Sequence, residues 1–302
     1  MKYAWNYAGP KRVGPHLVDK LAKYKAELDN AWENIRTVDF QYMRNNVDMV
    51  YFQIINDTAA MTETCRKSLA YFEGLPFTVP GRAMRTLYFY LIPAYLQAGQ
   101  YVETRSVIHS AKELVNNGSL NWTNIHLLEA ILGFHTGDFQ LVKQSLNIVK
   151  QSKKSNYIKE EIRIYQIYVN LMEDVEEYKL GRFLNEVPHF AADKKGMNIN
   201  IIILQILILL KRNDRPKIID RMEALQAYAY RYLARDQTTR RSELFFRMLF
   251  LLAKSAFEVA EVERRSPGIT EELHNTPRHI SAIDIEIVPY ELLWNKVVEW
   301  SK

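Results

Sequence analysis

Apolar residues recur along most of this chain at steps of three and four, the period of an α-helix that turns one face inward. The pattern is first clear where Leu17, Leu21, Tyr24, Leu28, Trp32 and Ile35 form a single stripe. It continues as a hairpin of 40–55 and 60–72 around Asn56-Asp57, which Gly74, Pro76 and Pro80 bring to an end. From Arg82 onward helices are expected in couples: 82–97 with 101–115, 122–135 with 139–151, 157–178 with 183–193, and 197–211 with 217–235. The Asn116-Asn117-Gly118-Ser119 cluster stops one of them, because Asn and Gly accept the left-handed cap conformation. Pro188 falls inside the second helix of the third couple and should shorten or kink it. A single long helix is expected over 241–264, ending before Pro267-Gly268.

Two stretches depart from this rhythm. Residues 199–210 are almost continuously apolar and Ile-rich, a composition that strands also favour. Their neighbours on both sides are helical, so a buried helix is expected. With Asn200 and Gln205 inside it, the run of about a dozen residues falls short of the roughly 20 needed to span a bilayer, and no membrane span is expected. Near the end, Ile283, Ile285 and Ile287 alternate with Asp284 and Glu286, the two-residue period of an extended segment. Pro289 then opens a short last helix over 290–300.

The couples share a turn signature: Ala98-Gly99-Gln100-Tyr101, Thr136-Gly137-Asp138-Phe139, Leu180-Gly181-Arg182-Phe183 and, more weakly, Arg212-Asn213-Asp214-Arg215. With Asn56 as a further equivalent, these turns stand roughly 30 to 45 residues apart, a range that brackets the period of tetratricopeptide repeats without holding it. The best-formed repeat carries Tyr88 at a large aromatic position, Tyr95 before Gly99, Tyr101 after it, and Ala111 in the second helix. The next keeps Ala130, Gly137 and Phe139, and the third Gly181 and Phe183. Over 40–235 the chain therefore resembles a degenerate tetratricopeptide-repeat (TPR-like) protein. The fold expected is all-α, an α-α superhelix: a right-handed solenoid of about five helical hairpins. Residues 1–39 form an N-terminal segment and helix, 40–237 the hairpin array, and 238–302 a capping helix, extended tail and terminal helix. A lone hairpin cannot bury its apolar face, and stacking neighbours does so along a line.

The resemblance also implies which side chains line the concave face. In this numbering they are Phe89, Pro93 and Leu96; Leu127, Ile131 and Phe134; Leu171, Val175 and Tyr178; and Ile203, Leu207 and Leu210. Family members that clamp acidic peptide termini present Lys, Arg and Asn there, and this chain does not, so no carboxylate clamp is implied. An apolar face of that size needs cover. Either a segment fills it, the chain's own 283–300 or a partner's peptide, or the helices pack closely and these positions are ordinary core.

Composition narrows the classes further. With 302 residues, 48% of them hydrophobic and 25% charged, the chain can bury a large core and is far from a disordered composition. Its single Cys65 cannot form an internal disulfide, and no apolar run of signal-peptide length follows Lys2, so a cytoplasmic location is expected. Tyr3, Trp5 and Tyr7 are the kind of residues that pack against a preceding segment. The net charge of +5 is a mild excess. Basic residues gather at 211–221 and again at Arg231, Arg235, Arg240 and Arg241, interleaved with Tyr228, Tyr230 and Tyr232, a composition that suits single-stranded nucleic acid, but Asp214, Asp220 and Asp236 dilute it.

Catalytic signatures are missing from the sequence. Phosphate-binding glycine motifs and the Gly-x-Ser-x-Gly elbow do not occur. Glu186 with His189 and Glu271 with His274 have the spacing of a helical metal pair, as His126 with Glu129 has in reverse, but Pro residues interrupt or flank the first two. Cys65 has no nearby His and reads as a buried thiol. The expected protein is therefore a non-catalytic scaffold or adaptor without metal or cofactor, holding a protein or peptide segment on its apolar face. A peptide-sensing regulator is the alternative, and a nucleic-acid binder using 231–241 the third class.

Overall fold

The computed structural model describes residues 15–55, 57–79, 81–151, 156–175, 183–184, 197–232, 240–278 and 286–301. Among them the regular structure is helical: α1 Pro15–Trp32, α2 Val38–Ile55, α3 Thr58–Glu73, α4 Gly81–Gln97, α5 Tyr101–Glu113, α6 Leu120–Thr136 and α7 Phe139–Lys150. There follow α8 Asn156–Met172, α9 Met197–Lys211, α10 Arg215–Tyr232, α11 Arg240–Lys254, α12 Val259–Arg265, α13 Ile269–Asn275 and α14 Tyr290–Trp300. The protein is all-α, an array of α-α hairpins in which helices pack on their neighbours in sequence. None of the helices among the described residues is long and apolar enough to cross a membrane.

One local device repeats at the hairpin turns. The backbone N–H of Gln100 donates to Tyr95 O at 2.9 Å and that of Gly99 to Leu96 O at 3.2 Å, the paired bonds of a Schellman cap. The same six-to-one bond runs from Asp57 to Phe52, Asp138 to Gly133, Val175 to Asn170, Asp214 to Leu209 and Phe257 to Leu252. The turns therefore recur roughly every 40 residues, a supersecondary unit of helical-repeat length. Gly99 and Gly137 take the left-handed conformation the cap requires, at φ 70° and 71°, as does Asn213 at 53°. Carboxylates start the returning helices. Asp57 accepts from Ala60 N and Asp138 from Leu141 N, both at 2.9 Å.

Two turns differ from expectation. The chain turns at Asp174, whose φ is 57°, after α8 ends at Met172, short of the expected 178; the turn expected at Gly181 lies outside the described residues. The helix expected over 241–264 is two helices, α11 and α12. Ala256 and Phe257 break it with φ of 51° and 70°, a conformation that costs L-residues energy. Burial of the Phe257 ring, capped by the Arg215 guanidinium 5.1 Å from its centroid, offsets that cost.

The chain forms two compact units, described separately; the first runs to Leu132 and the second from Gly133. In the first, α1 to α5 pack successively, around a core that includes Met49, Met61, Cys65, Leu87, Ile92 and Ile108. A buried polar knot ties α2 to α3: Ser68 Oγ donates to Asn45 Oδ1 at 2.8 Å, and Gln41 Nε2 donates to the same oxygen at 2.9 Å. In the second unit, α9 packs against α8, α10 and α14. Cover on three sides explains why its sequence is apolar almost all round. Two of its polar residues are bonded inside: Asn200 Oδ1 accepts from Tyr168 Oη at 2.7 Å, and Gln205 Nε2 donates to Phe183 O at 3.0 Å.

Candidate functional site

The C-terminal segment 286–301 is seated within the second unit, and the seat is the most elaborate polar site among the described residues. Ile287, Val288, Tyr290, Leu293 and Val297 are almost completely buried there, with α14 lying on α9 and α13. Pro289 precedes α14 as its N-cap residue, and the backbone bends at Ile287 and Val288; most of the extended stretch expected over 283–287 lies outside the described residues.

Arg241, near the start of α11, holds this segment. Its Nε donates to Glu286 Oε2 at 2.6 Å, and its Nη2 donates to Glu286 Oε1 at 2.8 Å and to Glu291 Oε1 at 2.7 Å. The remaining Nη1 donates to the carbonyls of Thr276, at 3.0 Å, and Leu273. The guanidinium is thus bidentate on one carboxylate and fully bonded, with the side chains of Arg241 and Glu286 only 6% and 11% exposed. Burial alone would lower the Arg241 pKa, and the two carboxylates outweigh it, holding the cation above its ordinary range. Burial works on Glu291 in the opposite sense, and Arg241 overcomes it to hold that carboxyl below its usual value.

Further groups complete the seat. Arg278 Nε faces Glu286 Oε1 at 3.5 Å, and its Nη2 faces Glu291 Oε2 at 3.6 Å, ion-pair distances at which that Nε and that Oε2 make no hydrogen bond. Tyr290 stacks on Phe245, centroids 4.7 Å apart and planes 4° from parallel, while its hydroxyl meets Ser242 Oγ at 2.8 Å. Glu286 Oε1 also accepts from Tyr290 N at 2.9 Å, so one carboxylate both meets the arginine and caps the helix. His135 Nε2 lies 3.3 Å from Glu286 O. Burial, with Arg278 adding to it, lowers the His135 pKa to about 4, so the ring is neutral and donates to that carbonyl. At the far end Asp174 accepts from Lys296 Nζ at 2.6 Å and from Trp300 Nε1 at 3.1 Å, and Lys211 Nζ lies 3.3 Å away. The turn residue that ends α8 is thus also an anchor for α14.

The positions implied for the concave face are mostly interior. Phe89, Pro93 and Leu96 on α4 and Leu127 on α6 are buried in the first unit, with Ile131 half-buried against the same core. Phe134, Leu171, Ile203, Leu207 and Leu210 are buried in the second, where the Phe134 ring meets Tyr165 and Tyr168 at 6.1 and 6.2 Å. Val175 is 48% exposed just past the Asp174 turn. Tyr178 lies outside the described residues. The arginine that binds Glu286 and Glu291, Arg241, stands on α11, where the sequence shows only a basic cluster.

The other candidates have structural partners. Arg240 bonds Glu272 and Glu243, Lys217 bonds Asp214, and Arg221 bonds Gln205 Oε1 and Leu184 O. Arg235 and the side chain of Arg231 lie outside the described residues. His126 pairs with Glu129 at 3.2 Å, and Glu129 with Lys112 at 2.6 Å. Glu271 and His274 are both exposed on α13, while Glu186 and His189 lie outside the described residues. No group of three His, Cys, Asp or Glu among the described residues has metal-binding geometry. Cys65 is fully buried, its thiol pKa pushed up by burial, with Sγ 3.1 Å from Met49 Sδ.

The hairpin architecture defines an all-α, helical-repeat-like protein in which residues 286–301 pack within the second unit. No family model, curated protein or solved structure matches the chain.

Proposed function

We propose that the chain is a non-catalytic interaction protein of tetratricopeptide-like type, acting in a reducing cytoplasm, that holds protein segments against its helical hairpins. The observation that carries this reading is the seat of 286–301. There a short helix and the residues leading into it are gripped by a bidentate arginine, an aromatic stack and apolar anchors, the chemistry by which helical arrays take up peptides. The buried Cys65 and the turn signatures at Gly99, Gly137 and Asn213 support it further. Fluorescence anisotropy of the full chain against a panel of acidic, basic and apolar 16-residue peptides tests it. Saturable binding of a subset near micromolar Kd, about −8 kcal/mol, is expected. Absence of binding to every peptide contradicts it.

A further inference from the structure

We propose that the seat of 286–301 is a recognition site for partner segments of one chemistry: a carboxylate, then an aromatic residue four positions on, a second carboxylate directly after it, and an apolar helix face following. In this reading the chain's own Glu286, Tyr290, Glu291, Leu293 and Trp294 are the resident occupant, which such a partner displaces. The inference deepens the interaction reading and rests on it.

The specificity follows from what the seat supplies. Arg241 is buried and bonded on every guanidinium nitrogen, so an occupant that brings no carboxylate to it leaves an unpaired buried cation, a cost far larger than the loss of a surface pair. Phe245 offers a flat face to one ring and Ser242 a hydroxyl to its phenol, which selects Tyr at that step. Charge is complementary along the site: Arg241 and Arg278 on the seat meet two glutamates on the segment, and Asp174 on the seat meets Lys296.

Exchange follows from how the resident is held. Its grip is uneven: Arg241 is saturated, but Arg278 reaches both glutamates only at 3.5 and 3.6 Å, and Arg278 Nε and Glu291 Oε2 are buried with no hydrogen bond. A segment that closes those distances gains what the resident lacks. The α14 helix has 11 residues, below the roughly 12–15 at which an isolated helix becomes even marginally stable in water, so its helical form is a product of the seat. Ordering on binding is how displaceable peptide ligands behave.

The test uses the full chain. A fluorescein-labelled peptide of the 286–301 sequence is titrated with the intact chain and with a chain carrying Tyr290→Ala and Trp294→Ala, which weakens the resident only. The variant is expected to bind at least tenfold tighter, because the intact chain's own segment competes at high effective concentration. Glu286→Gln with Glu291→Gln in the peptide should cost at least tenfold. A second readout needs no variant: excess peptide added to the intact chain should raise hydrogen exchange of its own 290–301 amides and leave 197–211 protected. If the peptide neither binds the variant nor accelerates that exchange, the inference is overturned. In that event, binding of other peptides from the panel would leave the general interaction reading standing, and binding of none would remove both.

Discussion

Arg241 shows how one side chain commits a distant part of the sequence. Its carboxylate partners lie 45 and 50 positions downstream, so nothing in its local sequence distinguishes it from Arg240 beside it, whose salt bridges are surface ones. Replacing it by Met should cost the second unit about 3–5 kcal/mol in urea denaturation, because Glu286 and Glu291 then stay buried with only the looser Arg278. Arg240→Met, by contrast, should change stability by under about 1 kcal/mol. Glu161 on α8 is a second case. Burial raises its pKa to about 7 against a hydroxyl donor from Tyr165, and no cation pairs with it among the described residues. Its folded-state pKa is raised, so the folded chain holds the proton more tightly: its favourable contribution is present below about 4.5 and is lost as pH rises towards about 7. Glu161→Gln keeps an acceptor for Tyr165 and should stabilise the chain by about 2 kcal/mol more at pH 8 than at pH 5, read from thermal unfolding at the two pH values.

At the scale of helices, the turns record both what the pattern reveals and what it hides. Gly99, Gly137 and Asn213 are visible in the sequence because glycine and asparagine are the residues that tolerate φ near 60°. Asp174 performs the same turn with no such mark. Nothing local marks Ala256-Phe257 either, since the stretch reads as uninterrupted helix and the burial of Phe257 decides the break. Ala256→Gly should therefore stabilise the chain, by about 1 kcal/mol, where a glycine elsewhere in a helix would weaken it. The crossing of α6 and α7 is the reverse case. A Cβ on Gly133 would stand 2.7 Å from Val142 Cγ2 and 2.9 Å from Asp138 O, one of these being backbone that cannot step aside. Gly133→Ala should destabilise by about 1–3 kcal/mol despite its better helix propensity, measured by the same unfolding transitions.

Across the whole chain, periodicity revealed the class of fold, all-α hairpins packed on their sequence neighbours, because each helix carries one apolar stripe that a neighbour must cover. It could not say whether a stripe is covered or open. Leu171, Ile203 and Leu207 have the same apolar character whether they face a groove or a neighbouring helix, and the structure buries them. The terminal helix over 290–300 was legible from Pro289 and its spacing, but its seat was not, since the seat is assembled from His135, Asp174, Arg241, Phe245 and Arg278, far apart in sequence. Side-chain recognition by that seat is what holds 286–301 in place. Hydrogen exchange of the 290–301 amides, compared between the intact chain and Arg241→Met, measures this most directly. Slow exchange in the intact chain and at least tenfold faster exchange in the variant, with 197–211 still protected, is the predicted result; equal protection of 290–301 in both would contradict it.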